Sequence, residues 1–366
     1  MERRKFLQCT NLCGVGLLGL GSAAPVQAAS SKNAVSKAQK PLTLRPYQLL
    51  CTICSLGEEG ADSVKQYEKC KHILDIVRKN PDGPVTLTCR AGAMFDYQES
   101  GTEEDTPESD EFNRKRDLDV LQLLDLEPGS TMPARILFRT VFTGISSLSD
   151  ICSYDAVTSG AWKGCPKAAS GNYQRGHKKG LDALIAPRAQ EEMEQEKKKS
   201  IEALNSASVV TVRPHILVCA VCQYGDGVRP PFKADNLPEL MDIILNRNPD
   251  LTIKMAPGAD WMICAPCATR SPKLNSCMNT GEIVSQQRDL RLLQKLGLKY
   301  GSTIKARDLY RQIFERVTTT HGTPDICLKY NTMPSIWCDS CSGQASIERY
   351  EKGKRELMAK LKLDGS

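Results

Sequence analysis

The chain contains 16 cysteines, and eight of them fall into two matching sets of four. Each set opens with a Cys-x-x-Cys pair and ends with two cysteines far down the chain. Four thiolates are the usual ligand set of a structural zinc ion or of one iron–sulfur cluster. The spacing therefore predicts one metal-thiolate site in each half. The first set is Cys51, Cys54, Cys152 and Cys165, and the second is Cys219, Cys222, Cys327 and Cys341.

The sequence around these cysteines is also repeated within the chain, which indicates a tandem duplication. Residues 45–54 return 168 positions later as residues 213–222, and both copies begin with Arg-Pro. The offset grows only to 175 along the chain, as a few loop insertions would cause. We therefore predict two homologous modules. The other matches are Asn80-Pro81-Asp82 with Asn248-Pro249-Asp250, Arg116-Asp117-Leu118 with Arg288-Asp289-Leu290, and Asp150-Ile151-Cys152 with Asp325-Ile326-Cys327.

The second half carries further cysteines that have no counterpart in the first. Together with its shared set they give eight thiols, enough for one cluster with spare thiols or for two four-thiolate sites. The first half adds only Cys70 and Cys89. The sequence therefore favours the second half as the metal site, and its expected metal ligands are Cys219, Cys264, Cys267, Cys277, Cys338 and Cys341.

Two other uses of the cysteines stay open at this point. If the cysteines form disulfides or bind zinc, the protein would be a binding module whose fold is stabilised by these cross-links, here called a stapled module. A Cys-x-x-Cys pair is also a redox dithiol pattern, so Cys51 or Cys219 could serve a thiol–disulfide oxidoreductase. The sequence has no phosphate-binding glycine loop, no Gly-x-Ser-x-Gly and no His-Glu-x-x-His. No catalytic residue is therefore predicted, and His215 is interpreted as a structural histidine because Tyr47 replaces it in the first copy.

Residues 1–28 are typical of a twin-arginine export signal. Arg3 and Arg4 precede Phe6 and a weakly apolar, glycine-rich stretch, and small residues before Ala28 suit signal peptidase. We therefore expect a periplasmic or extracellular protein. Because this pathway carries folded proteins, it favours a cofactor inserted before export. No other stretch approaches the roughly 20 apolar residues that a membrane span requires.

The remaining chain is predicted to form an α+β fold of two tandem cysteine-rich modules, each a small sheet with several helices. Residues 29–41 form a flexible tether, module 1 covers 42–185, a solvated, charged helical linker covers 186–208, and module 2 covers 209–366. In module 2 we predict strands at 215–221 and 251–255 and helices at 237–246, 288–296, 305–318 and 346–363. A net charge of +6 is too balanced to indicate nucleic-acid binding.

Module 2, and more weakly module 1, resembles an uncharacterised prokaryotic family of small single-module proteins with an Arg-Pro-His-His-Leu-Leu-Cys hallmark. The resemblance is carried by residues 213–219, by Ile263-Cys264-Ala265-Pro266-Cys267 with Cys277, by Arg288-Asp289-Leu290, and by the cysteines from Cys327 to Cys338. Members of that family are suspected to bind iron–sulfur clusters. The resemblance therefore implies an iron–sulfur cluster. We predict an exported iron–sulfur protein that transfers electrons or senses redox state, with a cluster expected to be 4Fe–4S, zinc as the alternative, and a redox protein as its partner.

Overall fold

Each half of the chain contains a three-stranded sheet with the same strand order and directions. A computed structural model describes residues 40–58, 65–89, 110–279, 281–320, 326–327 and 344–363. In both sheets the first strand is parallel to the central strand and the third is antiparallel to it. The strands are β1 (Leu42–Leu44), β2 (Pro84–Leu87) and β3 (Thr131–Pro133) in module 1, and β4 (Val209–Val212), β5 (Thr252–Met255) and β8 (Thr303–Lys305) in module 2; the hairpin of β6 (Arg270–Ser271) and β7 (Ser276–Cys277) lies between β5 and β8.

Helices account for most of the rest of the described chain, which confirms the predicted α+β fold. The helices of module 1 are α1 (Pro46–Leu56), α2 (Lys65–Lys79), α3 (Asp110–Leu123), α4 (Ala134–Gly144), α5 (Asn172–Lys179) and α6 (Leu181–Leu184), and α7 (Gln190–Ser206) connects the modules. The helices of module 2 are α8 (Ile216–Gly225), α9 (Leu237–Asp242), α10 (Trp261–Cys264), α11 (Gly281–Leu296), α12 (Ala306–Arg316) and α13 (Gln344–Leu361). Five residues in π-helical conformation, Ile243–Arg247, extend α9.

Each module buries a hydrophobic core of its own. In module 1 the core combines apolar side chains of α1, α2 and α4 with those of the sheet, and Leu49 and Phe138 are completely buried. In module 2 the core combines side chains of α8, α12 and α13 with those of the sheet, among them Ile253 and Tyr310. Cysteines belong to both cores or pack against them. The shared thiols of module 1, and Cys219 and Cys222 of module 2, therefore lie next to apolar side chains.

The prediction of a strand at residues 215–221 is wrong, because this segment forms the start of α8. A short, continuous apolar run fits a buried strand and a fully buried helix equally well. The helix is favoured here by Pro214 just before it, since proline is tolerated at a helix start, and it ends at Gly225. As a consequence, Cys219 and Cys222 lie one helical turn apart on a helix and not at a strand end. Cys51 and Cys54 have the same placement in α1.

The other predicted elements of module 2 are confirmed within a few residues, although α11 begins at Gly281, seven positions earlier than expected. The linker is helical as predicted, but it is not solvated on all sides. Ser200 and Leu204 of α7 are buried, and Asn236 of module 2 donates to the Ser200 hydroxyl at 2.7 Å. One face of α7 therefore belongs to the packing of module 2.

The predicted export signal and nearly all of the predicted tether fall within residues 1–39, which lie outside the described residues. Their roles stay predictions. Within the described residues, no helix combines the length and the apolar character that crossing a bilayer would need.

In each module the helix with the Cys-x-x-Cys pair crosses another helix at a pair of glycines. A Cβ atom placed on Gly176 of α5 would lie 2.0 Å from the carbonyl oxygen of Ile53, and Gly57 lies on the other side of the same crossing. In module 2, a Cβ on Gly353 of α13 would lie 2.1 Å from the Val221 oxygen. The backbones therefore approach more closely than any side chain would allow.

Replacing Gly176 by alanine should lower the free energy of unfolding by about 1–3 kcal/mol, because the added methyl group has no room at the crossing. Urea denaturation of the mature protein, followed by circular dichroism, measures this loss. Gly160→Ala is the matched control, since nothing lies within 4 Å of the added atom. Equal losses in the two variants would contradict a close crossing.

Candidate functional site

A buried arginine–aspartate ion pair stands at the start of the cysteine helix in module 1. Arg45 Nη2 lies 2.6 Å from Asp117 Oδ2, and the two side chains are 2% and 0% exposed. The backbone N–H of Tyr47 donates to Asp117 Oδ1 at 3.0 Å. The carboxylate therefore neutralises the arginine and also satisfies an N–H group in the first turn of α1.

Module 2 repeats this ion pair at the matching positions. Arg213 Nη2 lies 2.9 Å from Asp289 Oδ2, and the backbone N–H of His215 donates to Asp289 Oδ1 at 2.9 Å. The imidazole of His215 adds a hydrogen bond from Nδ1 to the same oxygen at 2.7 Å. This contact agrees with the interpretation of His215 as a structural histidine. The repeated Arg-Pro and Arg-Asp-Leu motifs therefore supply the two sides of one ion pair in each module.

Arg116 precedes Asp117 on α3, and its guanidinium lies deep in module 1. The side chain is 0% exposed. Its Cζ lies 3.7 Å from the centroid of the Tyr47 ring and 4.7 Å from that of Phe112, and Nη2 donates to Asn113 Oδ1 at 2.5 Å. A buried guanidinium needs compensating polar or negative groups.

Thiols of the shared set lie in the same region. Burial lowers the pKa of the Arg116 guanidinium, but Cys51, Cys152 and Cys165 act against burial, and the pKa is raised overall. Arg116 also forms a side-chain hydrogen bond with Cys152. The Arg116 guanidinium therefore lies close to three of the four thiols that the two halves of the chain share.

The four shared thiols of module 1 come together through one helix and one loop. Cys51 and Cys54 are neighbours on α1, one turn apart. The Cys165 N–H donates to the Cys152 carbonyl at 2.8 Å, and Gly164 has a φ of +78°, a left-handed conformation that suits glycine. The structure thus brings the predicted quartet of module 1 into one region, although its members are separated by up to 114 positions in the sequence.

Burial controls the protonation of these thiols. Burial raises the pKa of Cys54, and the neighbouring Cys51, Cys152 and Cys165 raise it further. Burial likewise raises the pKa of Cys152 to about 12, against the opposing effect of Arg116. Cys54 and Cys152 therefore stay protonated at neutral pH unless a cation binds them. A catalytic thiol has the opposite property, a lowered pKa.

A tyrosine lies beside the shared thiols in each module. The Tyr173 hydroxyl donates to the Ile145 carbonyl at 2.6 Å, and the Tyr350 hydroxyl donates to the Val317 carbonyl at 2.8 Å, in both cases just after the helix that follows the third strand. Burial raises the pKa of both phenols, and nearby thiols add to the shift. Those thiols are Cys54 and Cys152 for Tyr173, and Cys222 and Cys327 for Tyr350.

The shared quartet of module 2 is only partly described. Arg288, the counterpart of Arg116, donates from Nη2 to the Cys327 carbonyl at 3.2 Å. Cys219 is half-buried against the core. Cys338 and Cys341 lie outside the described residues, so the predicted sharing of one centre by them and Cys219 stays a prediction.

Three further cysteines of module 2 form a second group. Cys267 Sγ lies 3.3 Å from the Thr269 hydroxyl, which lies 4.0 Å from Cys277 Sγ. Burial raises the pKa of Cys264, and Cys267 and Cys277 raise it further. The structure therefore places these three predicted ligands near one another: Cys264 at the end of α10, Cys267 just after it, and Cys277 in β7. We call residues 264–277 the three-cysteine loop.

Arginines from outside module 2 fasten this three-cysteine loop. Arg188, just before α7, donates from Nη1 to the carbonyls of Ala265 and Cys267 at 2.9 and 2.8 Å. Arg139 of α4 in module 1 donates to the Met278 carbonyl at 2.6 Å. The loop is therefore a junction between the modules and the linker.

The twelve cysteines among the described residues are all in the thiol form. Within that part of the chain, no group of three or more His, Cys, Asp or Glu side chains is arranged so that it could hold a metal ion. The arrangement therefore gathers soft ligands without bringing them to the contact distances of a single bound ion.

Comparison of the sequence halves missed three features of these sites. The repeated Arg-Asp-Leu motif was visible, but nothing in the pattern indicated that Arg116 would face the thiols while Asp117 faces Arg45. The paired tyrosines could have been found, because Tyr173 and Tyr350 each precede a glycine by three positions. Cys70 has no counterpart in module 2, so a search for shared residues passes over it.

Comparison with known proteins gives one partial match. Residues 232–357, less than half of the chain, match the model of a family described as "Protein of unknown function (DUF1284)". The match includes the three-cysteine loop and the end of the module 2 quartet, but it begins after Cys222. No curated protein and no solved structure matches the chain.

Asp289→Asn should lower the free energy of unfolding by about 3–5 kcal/mol, because it leaves the charge of Arg213 buried without its carboxylate. The measurement is the urea midpoint of the full mature chain. Asp308→Asn is the control: Asp308 pairs with Arg311 and is 50% exposed, and its loss should cost about 0.5 kcal/mol or less. Similar costs for both variants would show that the buried pair is dispensable.

The pH dependence of stability should report His215. Burial lowers the pKa of His215 below its ordinary 6.5, even though Asp289 favours the charged form. The unfolded chain therefore takes up a proton in a range where the folded protein does not, so the free energy of unfolding falls as the pH drops below about 6.5.

His215→Tyr, which introduces the residue found in module 1, should flatten this part of the profile. Urea midpoints between about pH 7.5 and pH 5.5 test it. Asp117 and Asp235, whose pKa values burial raises to about 6, titrate in the same range with the opposite sign, but they are common to both proteins. Identical slopes in the two proteins would contradict the role of His215.

Proposed function

We propose that the protein is an exported iron–sulfur protein that transfers electrons or senses redox state. The observation that carries this proposal is that the four shared thiols of module 1, three of them buried, lie near Arg116. The sequence favours module 2 as the better-equipped half, whereas the described contacts give the stronger support to module 1. We therefore assign the first site to Cys51, Cys54, Cys152 and Cys165, and the related one to Cys219, Cys222, Cys327 and Cys341.

Four thiols are the usual donor set of a zinc ion or of one iron–sulfur cluster, and we propose the cluster. A single zinc ion requires four sulfurs within about 2.3 Å of one point, and no such grouping occurs among the described residues. An iron–sulfur cluster distributes its thiolates over several iron atoms, so its ligands can stand further apart. Thiols that share a region without meeting at one point are consistent with the larger group.

The charge of Arg116 also fits a thiolate-bound centre. Four thiolates bring more negative charge than their metal atoms neutralise, and such charge is costly to bury. A guanidinium at this position offsets that charge, and its hydrogen bond to Cys152 can tune the reduction potential. Apolar neighbours such as Leu50 and Phe138 exclude water from the same region.

The cluster, when bound, supplies one-electron redox chemistry. The chain supplies thiols that give up protons as metal binds, so loading depends on pH. The hydroxyls of Tyr173 and Tyr350 donate to backbone carbonyls, and their rings lie beside the thiols. These contacts hold the tyrosine in place at each site. A redox protein of unspecified identity is the expected partner.

Export in a folded state is the second part of the proposal. It is supported by Arg3-Arg4 and the apolar stretch that follows them. A site buried at the centre of a module has to be filled while that module folds. Insertion of the cluster before export would explain why a pathway for folded proteins is used.

The thiol–disulfide oxidoreductase interpretation is less well supported. Such enzymes need an accessible thiol with a lowered pKa. Burial instead raises the pKa of Cys54, and Cys51 is 7% exposed. A disulfide- or zinc-stapled binding module is distinguished by the measurement below.

Iron, sulfide and zinc are measured in mature protein purified without air, together with the absorption spectrum. We expect iron and acid-labile sulfide with a broad visible band that bleaches on reduction. Colourless protein without iron, with its cysteines paired in disulfides or bound to zinc, would refute the proposal and favour the stapled module.

Variants assign the iron to the module 1 quartet. In a chain carrying Cys219→Ser and Cys222→Ser, the remaining iron reports module 1, and adding Cys152→Ser should remove most of it. The matched control adds Cys89→Ser instead; Cys89 is a completely buried cysteine of the same module outside the quartet. Iron that survives Cys152→Ser to the same extent as Cys89→Ser would exclude the quartet as the site.

A further inference from the structure

The last two thiols of the shared set of module 1 enclose a loop with two aromatic side chains. Tyr154 lies two positions after Cys152, and Trp162 lies three positions before Cys165. The Cys165 N–H donates to the Cys152 carbonyl at 2.8 Å, so the loop begins and ends at one place. We call residues 152–165 the aromatic loop. Short stretches of backbone therefore join its two rings to half of the proposed ligand set.

The second half of the chain has the same two residue types in the same interval. Between Cys327 and Cys341 stand Tyr330, three positions after the first cysteine, and Trp337, four positions before the second. The chain contains three tryptophans, and two of them occupy this interval, one in each half. Tyr330 and Trp337 lie outside the described residues, so this match is one of sequence. Retention in both copies indicates a requirement that the two modules share.

The aromatic loop of module 1 is not covered by the rest of the module. Trp162 and Tyr154 are half-buried, and Val157 between them is 64% exposed. Large apolar residues that serve only packing are normally buried. An accessible aromatic residue that both copies retain therefore indicates contact with another molecule or a part in the chemistry.

The rings form a series that runs from Trp162 into the module. The centroids of the Trp162 and Tyr154 rings are 6.5 Å apart, and those of Tyr154 and Phe112 are 6.1 Å apart, both pairs being edge-to-face. These distances are in the range of stabilising aromatic pairs. The Phe112 ring in turn lies 4.7 Å from Cζ of Arg116. Neighbouring rings therefore connect a half-exposed indole to the buried guanidinium of the site.

Lys115 fixes the middle of this series. Its ammonium group lies 5.2 Å from the centroid of the Tyr154 ring and donates to the Asp150 carbonyl at 2.9 Å, just before the aromatic loop. Asp119 accepts from the same ammonium at 2.6 Å. A cation over an aromatic face is attracted by the electrons of the ring. The Tyr154 ring is therefore held in a defined position between Trp162 and the backbone that carries Cys152.

We propose that Tyr154 and Trp162 form the path along which electrons pass between the module 1 centre and a redox partner. Among aromatic side chains, indole and phenol lose an electron most easily, and their π-electrons bridge a gap better than saturated side chains do. Trp162 is the surface end of the path, and Tyr154 is the end next to Cys152. The role of the path rests on the proposed function, whereas electron transfer between the two rings does not depend on it.

One electron moves in each event. The partner gains the electron that leaves the module 1 centre, and both rings are unchanged at the end, with no bond formed or broken. A stronger one-electron oxidant at the surface takes the electron from Trp162 itself. Tyr154 then returns an electron to the indole cation radical, its phenol proton leaves to water, and a tyrosyl radical remains.

The first test uses the full mature chain freed of metal by a chelator, with Trp261→Phe and Trp337→Phe, so that Trp162 is the remaining tryptophan. Photo-oxidised ruthenium tris(bipyridine) removes one electron from Trp162, and transient absorption follows the radicals. We expect the tryptophan signal to decay while a tyrosyl signal rises. In Tyr154→Phe the tryptophan radical should live several-fold longer. Tyr224→Phe, which changes a tyrosine of module 2, should behave like the parent chain.

The second test measures a rate in the iron-loaded protein. In the chain that carries Cys219→Ser and Cys222→Ser, the iron reports module 1. Protein reduced with dithionite is mixed with oxidised cytochrome c, and stopped-flow absorption follows the electron transfer. Trp162→Leu should slow the transfer several-fold at unchanged iron content and reduction potential, and Trp261→Leu is the matched control with the parent rate. An effect on packing alone would change the iron content or the potential instead.

Two results would overturn the inference. One is a Trp162 radical whose lifetime is the same in Tyr154→Phe and Tyr224→Phe, and the other is an equal rate of electron transfer in Trp162→Leu and Trp261→Leu. Radical transfer between the rings of a protein that binds no iron would support the ring-to-ring path and refute the proposed function. Circular dichroism checks that each variant folds. Trp162→Phe is a second variant, whose retained ring should give a rate between those of Trp162→Leu and the parent.

Discussion

Both modules depend on an arginine–aspartate pair that is almost completely buried. Arg45 and Asp117, like Arg213 and Asp289, join the start of the cysteine helix to the middle of another helix. Breaking a buried pair leaves a charge in a medium that solvates it poorly, so the two helices are held in one register. Because Arg116 and Asp117 are consecutive, the same constraint fixes the direction of the Arg116 guanidinium. The ion pair therefore determines where the positive charge next to the thiols lies.

Comparison of the two halves predicted four cysteines of module 1 that the fold places near one another, but it did not predict the geometry around them. It identified Cys51, Cys54, Cys152 and Cys165 because a shared requirement preserves residue types at matching positions. It could not show that Arg116 and Asp117 face different partners, since that depends on tertiary packing. The prediction of a strand at 215–221 is wrong because a continuous apolar run has no hydrophobic periodicity that distinguishes a strand from a buried helix. The sequence likewise does not predict that one face of α7 is buried, because Ser200 and Leu204 are only two buried residues in a strongly charged helix.

The two modules satisfy the same constraint with different neighbours. In module 1 the ring of Tyr47 lies under the Arg116 guanidinium. In module 2 His215 takes that place in the sequence and bonds to Asp289. The three-cysteine loop of module 2 and Cys70 of module 1 are likewise additions on one side only. The ion pair and the sheet are therefore common to both modules, whereas the additional cysteines are where the modules differ.

The raised pKa values connect these differences to stability. A buried thiol that cannot ionise alone contributes apolar packing to the folded protein, as Cys152 does. In the proposed metal-bound form, the metal would offset the charge that ionisation creates, and loading would release protons and link the start of the module to its end. The loop between Cys51 and Cys165 is long, which is where such a cross-link would constrain the unfolded chain most. The proposed centre would therefore contribute to stability as well as to redox chemistry.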